Sequence, residues 1–185
     1  PHQVLINLGR AEAVMPQVEQ VPNERYRSNQ TLQFYLVEVA DTARGPELIV
    51  SRAHSGLVSG LFEREVPEIF NGVVEIRALA REPGGRSKVA VASKQEGVDP
   101  VGSCVGLRGL RIQNIVNELQ GERVDVVSWD DDPAKFLANA LGIAQVVGMT
   151  FNDELKTATV VVPERQLSLA IGREGQNVRL AAKLT

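Results

Sequence analysis

Two glycine quartets, Gly106-Leu107-Arg108-Gly109 and Gly172-Arg173-Glu174-Gly175, recur in the same local setting, and no other feature constrains the fold as much. A bare Gly-x-x-Gly pair is weak evidence, because 16 glycines in 185 residues give about one or two such pairs in random order. The setting supplies the information. Each quartet follows an aliphatic residue, Val105 or Ile171, and each opens a segment of helical apolar spacing. Each also comes after two strand-like runs.

The first setting spans residues 52–129. Leu57, Leu61, Ile69 and Phe70 fit buried helix faces interrupted at Pro67. Strand-like runs at 73–80 and 87–92 flank Pro83-Gly84-Gly85, where proline presets φ and glycine supplies a positive one. Asp99-Pro100 reads as an N-cap followed by proline in the first turn. After the quartet, Ile112, Ile115, Val116 and Leu119 share one helical face, and Gly121 is a natural stop. Val124, Val126 and Val127 then predict a strand ending at Trp129.

Residues 130–185 repeat that order. Asp131-Asp132-Pro133 caps a helix carrying Phe136, Leu137 and Leu141, and β-type runs follow at 145–151 and 157–162. Pro163 precedes a further helix, then come the quartet and a last helix with Val178, Leu180, Ala181, Ala182 and Leu184. Thr185 stands where the first copy would next place its closing strand. Two copies of one α+β unit are expected, the second lacking its last strand. Residues 1–51 differ: short extended runs at 4–8, 31–39 and 48–50, broken at Gly9, Pro16 and Gly45-Pro46, predict part of a small all-β unit. The short link at 129–132 predicts a rigid pair.

A glycine junction between two helices has a specific use. Without Cβ atoms it lets a phosphodiester backbone approach the main chain, and the positive end of the second helix faces the phosphates. A cationic or polar residue between the glycines touches phosphate oxygens without reading sequence, which falls to the adjacent aliphatic groove and strand edge. The candidate contacts are Val105, Gly106, Leu107, Arg108, Gly109 and Arg111, and then Ile171, Gly172, Arg173, Glu174, Gly175, Gln176, Asn177 and Arg179. Glu174 counts against strong phosphate binding, and Gln176 and Asn177 either bond bases or cap the new helix.

Charge agrees with this placement. The chain carries −3 overall, which opposes indiscriminate binding to nucleic acid. Yet Arg108, Arg111 and Arg123 against Glu118 and Glu122 leave residues 101–123 at +1. Arg165, Arg173, Arg179 and Lys183 against Glu164 and Glu174 leave residues 163–185 at +2.

Other function classes find little support. One cysteine, Cys104, with only His2 and His54, supplies neither a disulfide framework nor a His/Cys zinc site, and a reducing cytoplasm is the simplest setting. Asp130-Asp131-Asp132 reads as a cap and acidic linker, not a metal site, since neighbouring carboxylates seldom converge on one ion. His54 and Cys104 lack a nearby acid, base or nucleophile in sequence, so both are expected to be structural, with Cys104 packed under the first loop. No catalytic residue, metal or cofactor is expected. No apolar run reaches the roughly 18 residues of a membrane span. Phe62, Phe70, Trp129, Phe136 and Phe151 are expected in the core, whereas Phe34 and Tyr35, on successive strand positions, leave one ring free to stack a base. Proline at position 1 and the missing secretion signal suggest a fragment of a longer protein.

The tandem loops stand in the bacterial order of the KH RNA-binding domain. Together with Asp131-Asp132-Pro133 and the run QLSLAIGREGQNVRLAA at 166–182, they resemble the NusA family of bacterial transcription elongation and termination factors. Residues 8–13 (LGRAEA), Pro16, Tyr26-Arg27 and Tyr35-Leu36 are similar to the distal part of that family's S1 domain. The resemblance implies a multidomain α+β chain: a partial OB-fold S1 β-barrel over 1–51, then two type II (bacterial-type) KH domains over 52–129 and 130–185. Each KH domain has the order α-β-β-α-GxxG-α-β, with the last strand missing. It implies a cytoplasmic monomer that binds single-stranded RNA, the nascent transcript. It further implies action with RNA polymerase, mainly through a domain absent from this chain, and with other antitermination factors, on pausing, termination and antitermination. The rivals are another KH-type RNA binder, ribosomal or ribonuclease-associated, and a KH scaffold for protein contacts.

Overall fold

In the computed structural model, which describes residues 2–185, the chain begins with a four-stranded sheet. Strand β1 (Val4–Asn7) turns through Gly9, whose positive φ suits glycine and whose N–H donates to Asn7 Oδ1 at 2.7 Å. It pairs antiparallel with β2 (Glu12–Met15), setting Val4 opposite Met15 and Ile6 opposite Ala13 on the covered face. Strands β3 (Tyr35–Thr42) and β4 (Gly45–Ser51) form a hairpin, and β4 lies parallel to β2, giving the order β1-β2-β4-β3. Ala13, Met15 and Val50 make its small core, closed by Tyr26, Phe34 and Leu48. This mixed sheet fits the S1 part of the resemblance.

The next unit packs four helices against one face of a sheet. Helix α1 (Ser55–Glu65) is capped by His54, whose Nδ1 accepts the Gly56 N–H at 2.9 Å; α2 (Pro67–Phe70) starts on proline. Strands β5 (Val74–Glu82) and β6 (Arg86–Ser93) pair antiparallel. Helix α3 (Pro100–Val105), capped by Asp99, and α4 (Leu110–Glu118) then lead to β7 (Arg123–Ser128), parallel to β6 at the sheet edge. Leu57, Val58, Phe62, Val74, Val89, Val91, Cys104, Ile115 and Leu119 fill the core. Burial pushes the Cys104 thiol up to about 12, so it stays protonated and unreactive.

The second unit repeats the order. Helix α5 (Pro133–Leu141) is capped by Asp132, the hairpin β8 (Gly148–Asn152) and β9 (Thr157–Val161) follows, and α6 (Glu164–Ile171) leads through the quartet to α7 (Gln176–Leu184). The outer face of the first unit's sheet is its neighbour's support. Ala78, Ala80, Ala90 and Val127 pack against Phe136, Leu137, Ala140 and Leu141 of α5 and Leu180, Ala181 and Leu184 of α7. A bulge between Ile76 and Ala78 makes this two-sided packing work. It shifts the strand's parity, so Ile76 and Leu79 face the first core while Ala78 and Ala80 face the second. Small alanines there let two helices approach the sheet closely.

The N-terminal sheet is bolted on by charge. Arg52 is 0% exposed, pairs with Glu24 at 2.6 Å and Glu118 at 3.1 Å, and donates to the carbonyls of Gln33 and Glu118, both at 2.8 Å. Arg81 and Glu122, also buried, pair at 2.9 Å, and Glu122 accepts from Gly84 N and Ser87 Oγ.

Several expectations need correction. The strand expected from residue 31 begins at Tyr35, because Gln33 is drawn to the junction, its N–H on Glu118 and its carbonyl on Arg52. The strand expected from residue 145 begins at Gly148, since Gln145 N bonds the Gln166 side chain. Phe70 and Phe151 are not core: they are 73% and 48% exposed. Val66 and Ile69 take the inward positions around α2, and Phe151 sits on a hairpin that, among the described residues, has no third strand beside it.

Candidate nucleic-acid interface

The two quartets fold alike. Gly106 and Gly172 end their helices at φ 76°, ψ 176° and φ 77°, ψ 169°, a region that requires glycine. Arg108 and Glu174 then adopt left-handed conformations at φ 54° and 52°, followed by left-handed Gly109 and Gly175 at φ 73° each. A non-glycine residue held there is strained and persists only where its surroundings impose it.

One side chain packs against the first glycine at the same place in both copies. A Cβ on Gly106 would come within 2.7 Å of Arg111 Cγ, and one on Gly172 within 2.6 Å of Asn177 Cβ. Each of these side chains then turns back to the end of the preceding helix. Arg111 Nη1 donates to Ser103 O at 2.7 Å and pairs with Glu68 at 2.9 Å. Asn177 Nδ2 donates to Ala170 O and Leu141 O, both at 2.9 Å, and to Leu169 O at 3.3 Å. These bonds satisfy helix-end carbonyls that would otherwise lack partners.

The candidates therefore divide. Leu107, Arg108, Ile171, Arg173 and Glu174 are exposed, with Leu107 84% accessible at the tip of the first loop. Arg108 and Arg173 form no salt bridge among the described residues and so present free guanidinium groups. Val105, Gly106, Gly109, Gly172 and Gly175 are half-buried and shape the turns. Arg111, Gln176 and Arg179 are held by carboxylates, Arg111 by Glu68 and the other two by Glu82. Asn177 is a correction: it is 2% exposed, its amide holds three carbonyls, and it supports the loop from within. Tyr35 stays partly open, but one face of its ring is stacked on His54 with centroids 4.4 Å apart.

A cleft of about 620 Å³ joins the units, and sequence reading did not identify it as a site. Arg86, Lys88, Arg123 and Asp125 from β6 and β7 line one side, and Leu169, Gly172 and Arg173 the other. Lys88 and Arg86 both pair with Asp125, at 2.8 and 2.6 Å. Burial alone would raise the Asp125 pKa, but hydrogen bonds from Lys88 and Arg86 outweigh it and hold the carboxyl below its usual range. The only sequence signal was the pair of cations around Ser87 in a strand, whose partner Asp125 lies one strand away. The arrangement offers two glycine turns, each with a free arginine, and a passage lined by Arg86, Lys88, Arg123 and Asp125 beside the free edge of β7.

Two α-β-β-α units joined to a further helix by a left-handed Gly-x-x-Gly turn, with a third strand parallel to the second in the first copy, define a tandem KH protein of the bacterial type. Comparison with known families agrees: residues 52–129 match the NusA-like first KH domain and residues 133–185 the NusA-like second KH domain. The chain belongs to the NusA family. Transcription termination/antitermination proteins NusA from Halalkalibacterium halodurans, Bacillus subtilis and Thermus thermophilus are each 52% identical to it over 98% of its length. The chain covers 48%, 49% and 47% of those relatives, about half of each. Among the described residues no helix is long and apolar enough to cross a membrane.

Proposed function

We propose that this chain binds single-stranded RNA through its two KH units and forms the RNA-binding body of a transcription factor. The observation that carries the reading is the loop built twice to one geometry, each time presenting an unpaired exposed arginine. The glycine N–H groups of both turns bond carbonyls of the chain itself, so phosphates are received by the main-chain N–H groups between the glycines, at Leu107 and Arg108 and at Arg173 and Glu174, with Arg108 and Arg173 adding charge from solvent. Bases then lie toward the aliphatic side chains beside each loop, Val105 in the first and Ile171 and Val178 in the second, the last two 43% and 45% exposed. Because the units share a core, a strand bound to one is delivered to the other at high local concentration, and modest affinities multiply.

By family membership, the whole protein acts with RNA polymerase, mainly through a domain absent from this chain, on pausing, termination and antitermination of the nascent transcript. Other antitermination factors are further partners. The reading places it in the cytoplasm as a monomer, with residues 1–51, 52–129 and 130–185 as partial S1, first KH and second KH, and assigns it no catalysis and no cofactor.

Fluorescence anisotropy with single-stranded RNA, duplex RNA and single-stranded DNA tests this. Selective binding of single-stranded RNA, weakened by Leu107→Asp/Arg108→Asp and by Arg173→Asp with unchanged circular dichroism, supports it. Absent binding, or binding indifferent to both loops, would recast the chain as a scaffold for protein contacts.

A further inference from the structure

We infer that Glu82, a residue of the first KH unit, is the positioning residue for the second unit's Gly-x-x-Gly loop, acting through Arg179; the inference rests on the RNA-binding reading of that loop. The guanidinium of Arg179 bridges two groups. Its Nε and Nη2 donate to the Glu82 carboxylate, Nη2 at 3.0 Å, in the two-pronged geometry that fixes orientation as well as distance. Its Nη1 donates at 3.1 Å to the carbonyl of Glu174, the left-handed residue inside the loop. Glu82 also accepts from Nε2 of Gln176, the first residue of α7, at 3.1 Å. One carboxylate thus grips the loop's exit and, through one arginine, its strained centre.

The anchor behind Glu82 is firm. It ends β5, whose neighbouring Arg81 is buried against Glu122, and Glu122 also holds Gly84 N at 2.7 Å. The adjoining turn is shaped for the contact, since a Cβ on Gly85 would lie 2.7 Å from Gln176 Nε2. A rigid element is what a positioning group needs.

The first loop has no such dependence. Gln113, which stands in α4 where Arg179 stands in α7, bonds Asn117 of its own helix at 2.9 Å. Arg111 closes that loop with Glu68 and Ser103 of the same unit. The second loop therefore takes its geometry from the first domain, while the first loop is self-sufficient.

Charge alone predicts the opposite effect of losing Glu82. Removing a carboxylate near a phosphate site and freeing an arginine should strengthen RNA binding; removing a positioning group should weaken it. The test uses the whole 185-residue chain. In Glu82→Gln, backbone amide NMR shifts are expected to move at Glu174, Gly175 and Gln176 and to stay at Arg108 and Gly109. Single-stranded RNA affinity falls about fivefold, as for Arg179→Gln, and the double variant is no weaker than either single one. An affinity gain in Glu82→Gln, unmoved loop amides, or shifts spread instead over Leu137 and Ala181 of the shared core would overturn the inference. Should the parent chain bind no RNA, the RNA-binding reading fails by itself, and the amide shifts alone still decide whether Glu82 holds the loop.

Discussion

Asn177 lies directly against Gly172: a Cβ on the glycine would fall 2.6 Å from Asn177 Cβ and 2.8 Å from Asn177 N. The contact involves main chain, so it has no soft way to relax. Gly172→Ala is expected to destabilise the chain by about 2 kcal/mol and to remove second-loop RNA binding. Gly175→Ala, whose nearest neighbour is Arg179 Nη1 at 3.8 Å, costs only the left-handed backbone, about 1 kcal/mol. Urea denaturation of both variants measures the difference.

The Asn177 amide faces three carbonyl oxygens, which makes it intolerant of a nearly isosteric change. In Asn177→Asp an acceptor meets acceptors in a buried site, and a loss of about 3 kcal/mol or more is expected. Asn177→Ala leaves the same carbonyls without their donor at about 2 kcal/mol. Equal stability of the parent and Asn177→Asp in urea would contradict the assignment of this residue to loop support.

Arg52 joins the N-terminal sheet to the first KH unit through Glu24 and Glu118. Replacing it by methionine leaves Glu24, 3% exposed at its side chain, as an uncompensated buried charge, for which about 3–5 kcal/mol is expected. Because Gln33 loses a partner in the same change, the segment between β2 and β3 should lose protection in amide exchange before the KH cores do.

The Glu82 carboxyl is held down to about 2, chiefly by the hydrogen bonds from Arg179. A carboxyl with a lowered pKa in the fold contributes stability that is complete above its ordinary value near 4.5 and lost as the pH falls toward 2. Thermal unfolding between pH 5 and about pH 2.5 should therefore show a declining melting temperature whose slope is shallower in Glu82→Gln. Identical slopes in parent and variant would count against the ion pair.

Much of the fold was legible because its signals are short-ranged. Asp99-Pro100 and Asp132-Pro133 declare helix starts within three residues, and both aspartates do cap. The quartets announced their turns because the backbone at Gly106 and Gly172, at φ 76°, ψ 176° and φ 77°, ψ 169°, is open only to glycine. The candidate site was legible to the same depth: Arg108 and Arg173 are exposed, while the burial of Asn177 escaped notice because nothing local separates a capping amide from a base-reading one.

The sequence by itself determined the repeat, the caps, the glycine turns and the family, since each depends on residues a few positions apart. The tertiary structure decided which charges remain free. Arg179 and its partner Glu82 are separated by 97 positions, and Arg52 and Glu118 by 66. Those pairs exist only because the alanine face of β5 and β6 docks α5 and α7 and because Arg52 and the segment before β3 meet the end of α4 at Glu118. That docking turns on the bulge at Ile76 and Ala78, a one-residue change of parity that no pattern of apolar residues specifies without the neighbouring strand to measure it against.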